Sequence, residues 1–137
     1  MSVGGVVRAL NIAVSEALQP AFSGAIELDN SKFTPPTKAK WAAVTFKLAG
    51  APALTLGYGG DDRGSGFVQV DLRYPRGNGF DDTTADVDSL RAAFPIGKTF
   101  VDSGQAVRVM ECRPTYFLED QWYRACVQLF WDAVIPR

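Results

Sequence analysis

The chain has 137 residues, with 14 basic against 15 acidic side chains, two cysteines and no histidine. A chain of this length buries roughly two thirds of the surface its unfolded form exposes, enough for one core without metal or disulfides. Balanced charge without a Lys/Arg run argues against a protein that grips nucleic acid through phosphates. The lack of histidine removes Ser-His and Cys-His nucleophile pairs and the imidazole ligands of most zinc sites.

The N-terminus, Met1 to Leu10, has no charged region ahead of an apolar core, and Asn11, Ser15 and Glu16 interrupt the apolar residues that follow. It does not read as a signal peptide. No run of about 18 apolar residues occurs, so no membrane-spanning helix is expected, and a cytoplasmic place of synthesis follows. Val7, Leu10, Val14 and Leu18 recur at helical spacing from Val3 to Ala17, and Pro20 is expected to end that helix.

Phe33-Thr34-Pro35-Pro36 is a turn signal, because proline fixes its own φ and pushes the preceding residue out of the helical region. From Trp41 the chain alternates: Ala42, Val44, Phe46 and Leu48 against Trp41, Ala43, Thr45 and Lys47, the period-two pattern of a half-buried strand. A short partner strand is expected through Leu54 and Leu56. Gly57 to Gly66 reads as a mobile hairpin loop. Its Asp61-Asp62 pair and missing Gly-Lys-Ser/Thr ending speak against a phosphate cradle.

The next strand puts Val68, Val70, Leu72 and Tyr74 toward the core, and Phe67, Gln69, Asp71 and Arg73 on the other face. That second face fits either an ordinary solvated surface or a subunit contact of complementary sign. Thr83 with Asp86 resembles a capping box opening a second helix with the stripe Val87, Leu90 and Phe94. Asp81, Asp82, Asp86 and Asp88 are the densest acidic group. They serve either a helix N-terminus or a magnesium or calcium site, and the first reading is preferred, so no metal is assigned.

Phe94-Pro95-Ile96-Gly97 stops that helix, and a strand follows from Lys98 to Val101, ahead of a turn at Asp102-Ser103-Gly104. From Gln105 to Arg113, Val107 and Val109 oppose Met110 and Cys112. The last strand alternates Tyr123, Ala125, Val127, Leu129 and Trp131 with Trp122, Arg124, Cys126, Gln128 and Phe130, and both sides are largely apolar. A strand buried on both faces belongs in the middle of its sheet, covered by helices or by another subunit. Cys112 and Cys126 fall on two arms of a hairpin turning near Glu119 and Asp120, where reduced, buried thiols could face each other.

The order of these pieces resembles the tail-terminator (tail-completion) family of long-tailed bacteriophages and prophages. The matching features are the first helix, the Phe33-Thr34-Pro35-Pro36 turn, the strand opening at Trp41 and Gly66-Phe67-Val68-Gln69-Val70 running to Pro75. The Gly/Asp loop, a helix ending Phe94-Pro95-Ile96-Gly97 and a hairpin containing Trp122-Tyr123-Arg124 complete it. The resemblance implies one α+β domain over residues 1–137, a mixed, mostly antiparallel sheet with the two helices packed on one face. It implies a structural role: a homo-hexameric ring that caps the tail tube, stops its polymerisation and offers the surface for head–tail joining. Partners would be further copies, the major tail tube protein and a head-completion or neck protein, with DNA only passing through the channel. The free chain would be either ring or monomer.

No enzyme activity, cofactor or metal is implied. The location would be the host cytoplasm during assembly and then the head-proximal end of the tail. Candidate interface residues are Asp61, Asp62 and Arg63 in the loop and Asp71 and Arg73 on the sheet, with Lys47 and Arg124 secondary; charge reversal at Arg73 would weaken the ring and leave the subunit folded. Alternatives are a head-closure or connector protein of the neck and, from another class, a soluble ligand-binding domain.

Overall fold

The computed structural model describes residues 2–29 and 31–137; Met1, with which the N-terminal reading began, and Asn30 lie outside the described residues. The described chain forms α1 (Val3–Phe22), β1 (Ile26–Glu27), β2 (Trp41–Gly50), β3 (Asp61–Pro75), α2 (Asp81–Ala93), β4 (Thr99–Asp102), β5 (Gln105–Glu119) and β6 (Trp122–Pro136). The strands make one sheet in the order β1-β2-β3-β6-β5-β4, antiparallel except for the β1–β2 pair. Both helices pack on one face around a continuous apolar core, giving the expected α+β architecture. None of the described helices is long and apolar enough to cross a membrane.

Helix α1 starts where Ser2 accepts the Gly5 amide at 3.1 Å, an N-cap that pairs one orphan donor. Its buried stripe is Val6, Leu10, Val14, Leu18 and Phe22; Val6, not Val7, leads the row of i, i+4 neighbours. Pro20 does not end the helix. An interior proline costs about 3 kcal/mol, but stopping there would strand Phe22, which is 3% exposed and edge-on to Tyr74, and burying such a ring contributes a similar amount. The helix stops instead at Ser23 and Gly24, where φ turns positive.

The β3–β6 ladder runs unbroken from Asp61↔Pro136 to Pro75↔Trp122. β6 lies between β3 and β5, as its two apolar sides require. β3 begins six residues earlier than its first apolar residue: Asp61 to Gly66, read as loop, pair with β6. Backbone pairing overrides glycine's weak strand preference here because Gly64 and Gly66 make room on the core face. A Cβ on Gly66 would collide with the Lys47 carbonyl and come within 3.0 Å of the buried Trp131 indole. Leu54 and Leu56 form no strand; an isolated bridge, Ala53↔Asp62, holds that stretch.

β5 carries a bulge. The register steps from Val109↔Trp131 to Glu111↔Phe130, leaving Met110 without an opposite residue. Strict alternation from Val107 and Val109 would aim Glu111 and Arg113 into the core. The extra residue shifts the phase, so those charges face out and Cys112 packs against the core. Cys112, opposite Leu129, and Cys126, opposite Asp71 and Thr115, therefore sit on opposite faces of the sheet, and their thiols do not meet.

Helix α2 spans Asp81–Ala93 behind Phe80, and no side chain caps its start. The expected capping box is absent. Thr83 is fully buried, Thr84 donates to the Phe80 and Asp81 carbonyls, and Asp86 is turned toward the sheet. There Asp86 accepts from the Tyr74 hydroxyl at 2.6 Å and from Lys40 at 3.0 Å. Burial, then this bond, raises the Tyr74 pKa and keeps the phenol protonated. The Val87, Leu90 and Phe94 stripe is buried as expected.

Candidate interaction face

Because the helices cover one side, the other face of the sheet has no second layer. Period-two alternation from the register places Trp41, Thr45 and Lys47 of β2 on it, with Arg63, Phe67, Gln69, Asp71 and Arg73 of β3. β6 adds Trp122, Arg124, Cys126, Gln128, Phe130 and Asp132, and β5 adds Arg108, Glu111, Arg113 and Phe117. Five of the seven sequence candidates, Lys47, Arg63, Asp71, Arg73 and Arg124, thus share one surface.

Two charge networks organise it. At one end Arg124 reaches Asp71 at 2.6 and 2.9 Å and also donates to Glu119, while Arg73 stands 3.5 Å from Glu119 and Gln69 donates to Asp71 at 3.1 Å. Aromatic rings back both cations: Arg73 lies over Trp41 at 4.7 Å and Arg124 over Phe117 at 4.8 Å. Trp41 in turn meets Trp122 and Phe33, so the Phe-Thr-Pro-Pro turn closes this end of the face. Asp71 is only 5% exposed, which makes its bonds to Arg124 a condition for burying it. The Arg124 bond, with the cation's field, holds the Glu119 carboxyl below its ordinary range. Burial beside Asp71 pushes the Cys126 thiol up to about 11, so it stays protonated and unreactive at neutral pH.

At the other end Asp132 accepts Arg108 at 3.0 and 3.1 Å and Arg63 at 2.8 Å. Burial works against ionisation of Asp132, but the two arginines outweigh it and hold its pKa below 3.8. Between the networks Phe67 and Phe130 pack at 5.6 Å, with Arg113 over Phe130 at 4.9 Å. They border a shallow hollow of about 470 Å³ lined also by Arg63, Met110 and Asp132.

The family model described as "Phage tail terminator protein" matches residues 6–131 of this sequence. The chain belongs to the phage tail terminator family. Two solved structures share the tail terminator's fold. One, whose name says nothing of its role, is 23% identical with a TM-score of 0.78, covering 97% of this chain and 96% of its own. The other, from the "virion of native gene transfer agent (GTA) particle", is 15% identical with a TM-score of 0.56, covering 96% of this chain and 98% of its own. No curated protein sequence matches the tail terminator chain significantly. As a member of this family the chain is a structural component of a phage tail.

In this tail terminator Asp61 and Asp62 lie apart from the two networks, at the edge where β3 begins, and Asp62 pairs with Arg137. Lys47 is exposed and reaches no carboxylate within 4 Å among the described residues, whereas Arg73 is held between Trp41 and Glu119. Arg73 is therefore part of the subunit's own fabric, and reversing its charge would set a carboxylate against Glu119. The acidic set from Asp81 to Asp88 is dispersed, and the described residues contain no group of three or more side chains placed to hold a metal ion. Sequence reasoning missed Asp132, Arg108 and Phe117. The only signal for Asp132 was its outward parity in a strand with two apolar sides.

Proposed function

We propose that this tail terminator assembles into a hexameric ring on the last ring of tail tube subunits, stops tube growth and presents the surface that a head-completion or neck protein recognises. The observation that carries this reading is the bare sheet face. A two-layer subunit with one uncovered, partly apolar sheet side offers that side to a neighbour, and its charges other than Lys47 have partners within the chain, so contact there leaves no other isolated charge to be desolvated. Lys47 supplies the charge most free to choose a partner, and Asp71, Arg73 and Arg124, held to one another and to Glu119, fix the side chains at one end of the face. DNA passes through the ring's opening and makes no sequence-specific contact.

Electron microscopy of tails from the parent phage with this gene deleted tests the proposal. Overlong, headless tails are expected. Tails of normal length that fail to join heads would move the protein to the neck, and intact infectious particles would overturn the assembly role.

A further inference from the structure

Two apolar features stand at opposite ends of the molecule. The segment from Pro52 to Gly60, between β2 and β3, presents Leu56 and Tyr58 to solvent at 95% and 102% exposure. This loop is held in shape. The Leu54 and Thr55 amides donate to the Asp61 carbonyl at 2.8 and 3.0 Å, and the Asp61 amide donates to the Thr55 hydroxyl at 2.7 Å. The Arg137 guanidinium donates to the carbonyls of Thr55, Gly57 and Asp61 and to the Asp62 carboxylate. Two large apolar side chains on a clamped loop have prepaid the ordering that binding would otherwise demand.

At the far end, Gly77, Gly79, Phe80, Leu118 and Tyr123 line an apolar hollow of about 230 Å³. It too is braced, by Arg76, whose amide donates to Gln121 and whose guanidinium donates to Asp120, tying the β5–β6 turn to the loop ahead of α2. A cavity of about 150 Å³ takes a benzene ring, so this one admits a tyrosine side chain. Knob and hollow are separated by the whole β3–β6 ladder, fifteen residues at roughly 3.3 Å each, or about 50 Å. No chain can fill its own hollow.

We infer that the Leu56–Tyr58 loop of one copy seats in the Phe80–Leu118–Tyr123 hollow of the next, a head-to-tail contact repeated around the ring. The inference deepens the ring reading above and rests on it. A second copy is the occupant because both halves of the contact are carried by the same chain, each apolar, each preformed and matched in size, and such heterologous contacts close into rings when the rotation permits.

The test uses the purified full chain and sedimentation velocity over a concentration series. Wild type is expected to form a species larger than a dimer. The double variant Leu56→Ala, Tyr58→Ala and the variant Leu118→Arg change exposed side chains, and unaltered circular dichroism and melting would show each subunit folded. Each alone is expected to associate about thirtyfold more weakly or worse, as on losing an interface anchor. Mixed, the two should yield a one-to-one dimer and nothing larger, since the first retains a hollow and the second a knob. Wild type that stays monomeric or stops at a dimer, variants that assemble like wild type, or a mixture without a dimer would each overturn the inference. These outcomes concern the contact only; tail length in the deletion phage decides termination separately.

Discussion

Asp132 ties two arginines of the outer face to one titrating group. It is 7% exposed and serves two arginines at once. Its folded pKa lies below the ordinary 3.8, so the stability it contributes is complete above the unfolded value and is lost as pH falls through the lower, folded one. Chemical denaturation from pH 6 to pH 2 should therefore show wild type losing stability below about pH 4, with a smaller acid loss in Asp132→Asn. At pH 6 that variant is expected to be less stable by roughly 1–3 kcal/mol, because two cations lose a charged acceptor. Equal acid slopes in the two proteins would mean that Asp132 is not the group responsible. At the same scale Arg124 shows why a sequence reading undervalues some residues. Its importance comes from Asp71 and Glu119, 53 and 5 residues away, and no local spacing announces the first.

At the scale of elements, the bulge at Met110 is the decision on which β5 depends. Deleting Met110 leaves Val109 followed directly by Glu111 and Cys112, which makes the ladder regular with Glu111 and Arg113 still facing out and Cys112 still inward, opposite the same β6 residues. The shortened protein is therefore expected to fold in the same register at a cost of no more than about 1–2 kcal/mol, and Met110→Ala, which keeps the extra residue and alters a partly exposed side chain, should cost under about 1 kcal/mol. Thermal melts of the two variants decide it; a deletion that fails to fold would show that β5 needs the bulge itself and not only the phase it sets. The phase change between Val109 and Cys112 was visible in the sequence, as inward residues moved from odd to even numbers. Periodicity alone offered no reason to prefer a bulge over a strand end. The same tension explains α1, where a local rule ended the helix at Pro20 and the burial of Phe22 carried it on.

For the whole molecule, the bare sheet face carries the functional reading, and its exposed, unpaired Lys47 is the cleanest probe of it. Lys47→Glu is expected to move the melting free energy by no more than about 0.5 kcal/mol, yet to weaken ring assembly measured by sedimentation and to lower the capping of tail tubes. Wild-type capping by this variant would remove the β2 side of the face from the contact. Arg73→Glu, by contrast, is expected to destabilise the subunit itself and so to report on folding before assembly.

The sequence by itself determined the central place of β6 and the core faces of β3 and α2, because apolar periodicity and turn chemistry act over a few residues and leave their pattern in the chain, while the α+β class came with the family resemblance. The order of elements also sufficed to point to the phage tail terminator family that the residue 6–131 match then showed. Only the tertiary structure decided that Asp61 to Gly66 belong to a strand, that Cys112 and Cys126 face apart, and that Asp86 serves Tyr74 and Lys40 instead of capping its helix. It also gathered Lys47, Arg63, Asp71, Arg73 and Arg124 onto one surface and set the Tyr58 loop and the Leu118 hollow at opposite ends. These outcomes depend on which strands become neighbours and in what register, a choice made by long-range pairing and the shared burial of one core, which no local spacing records.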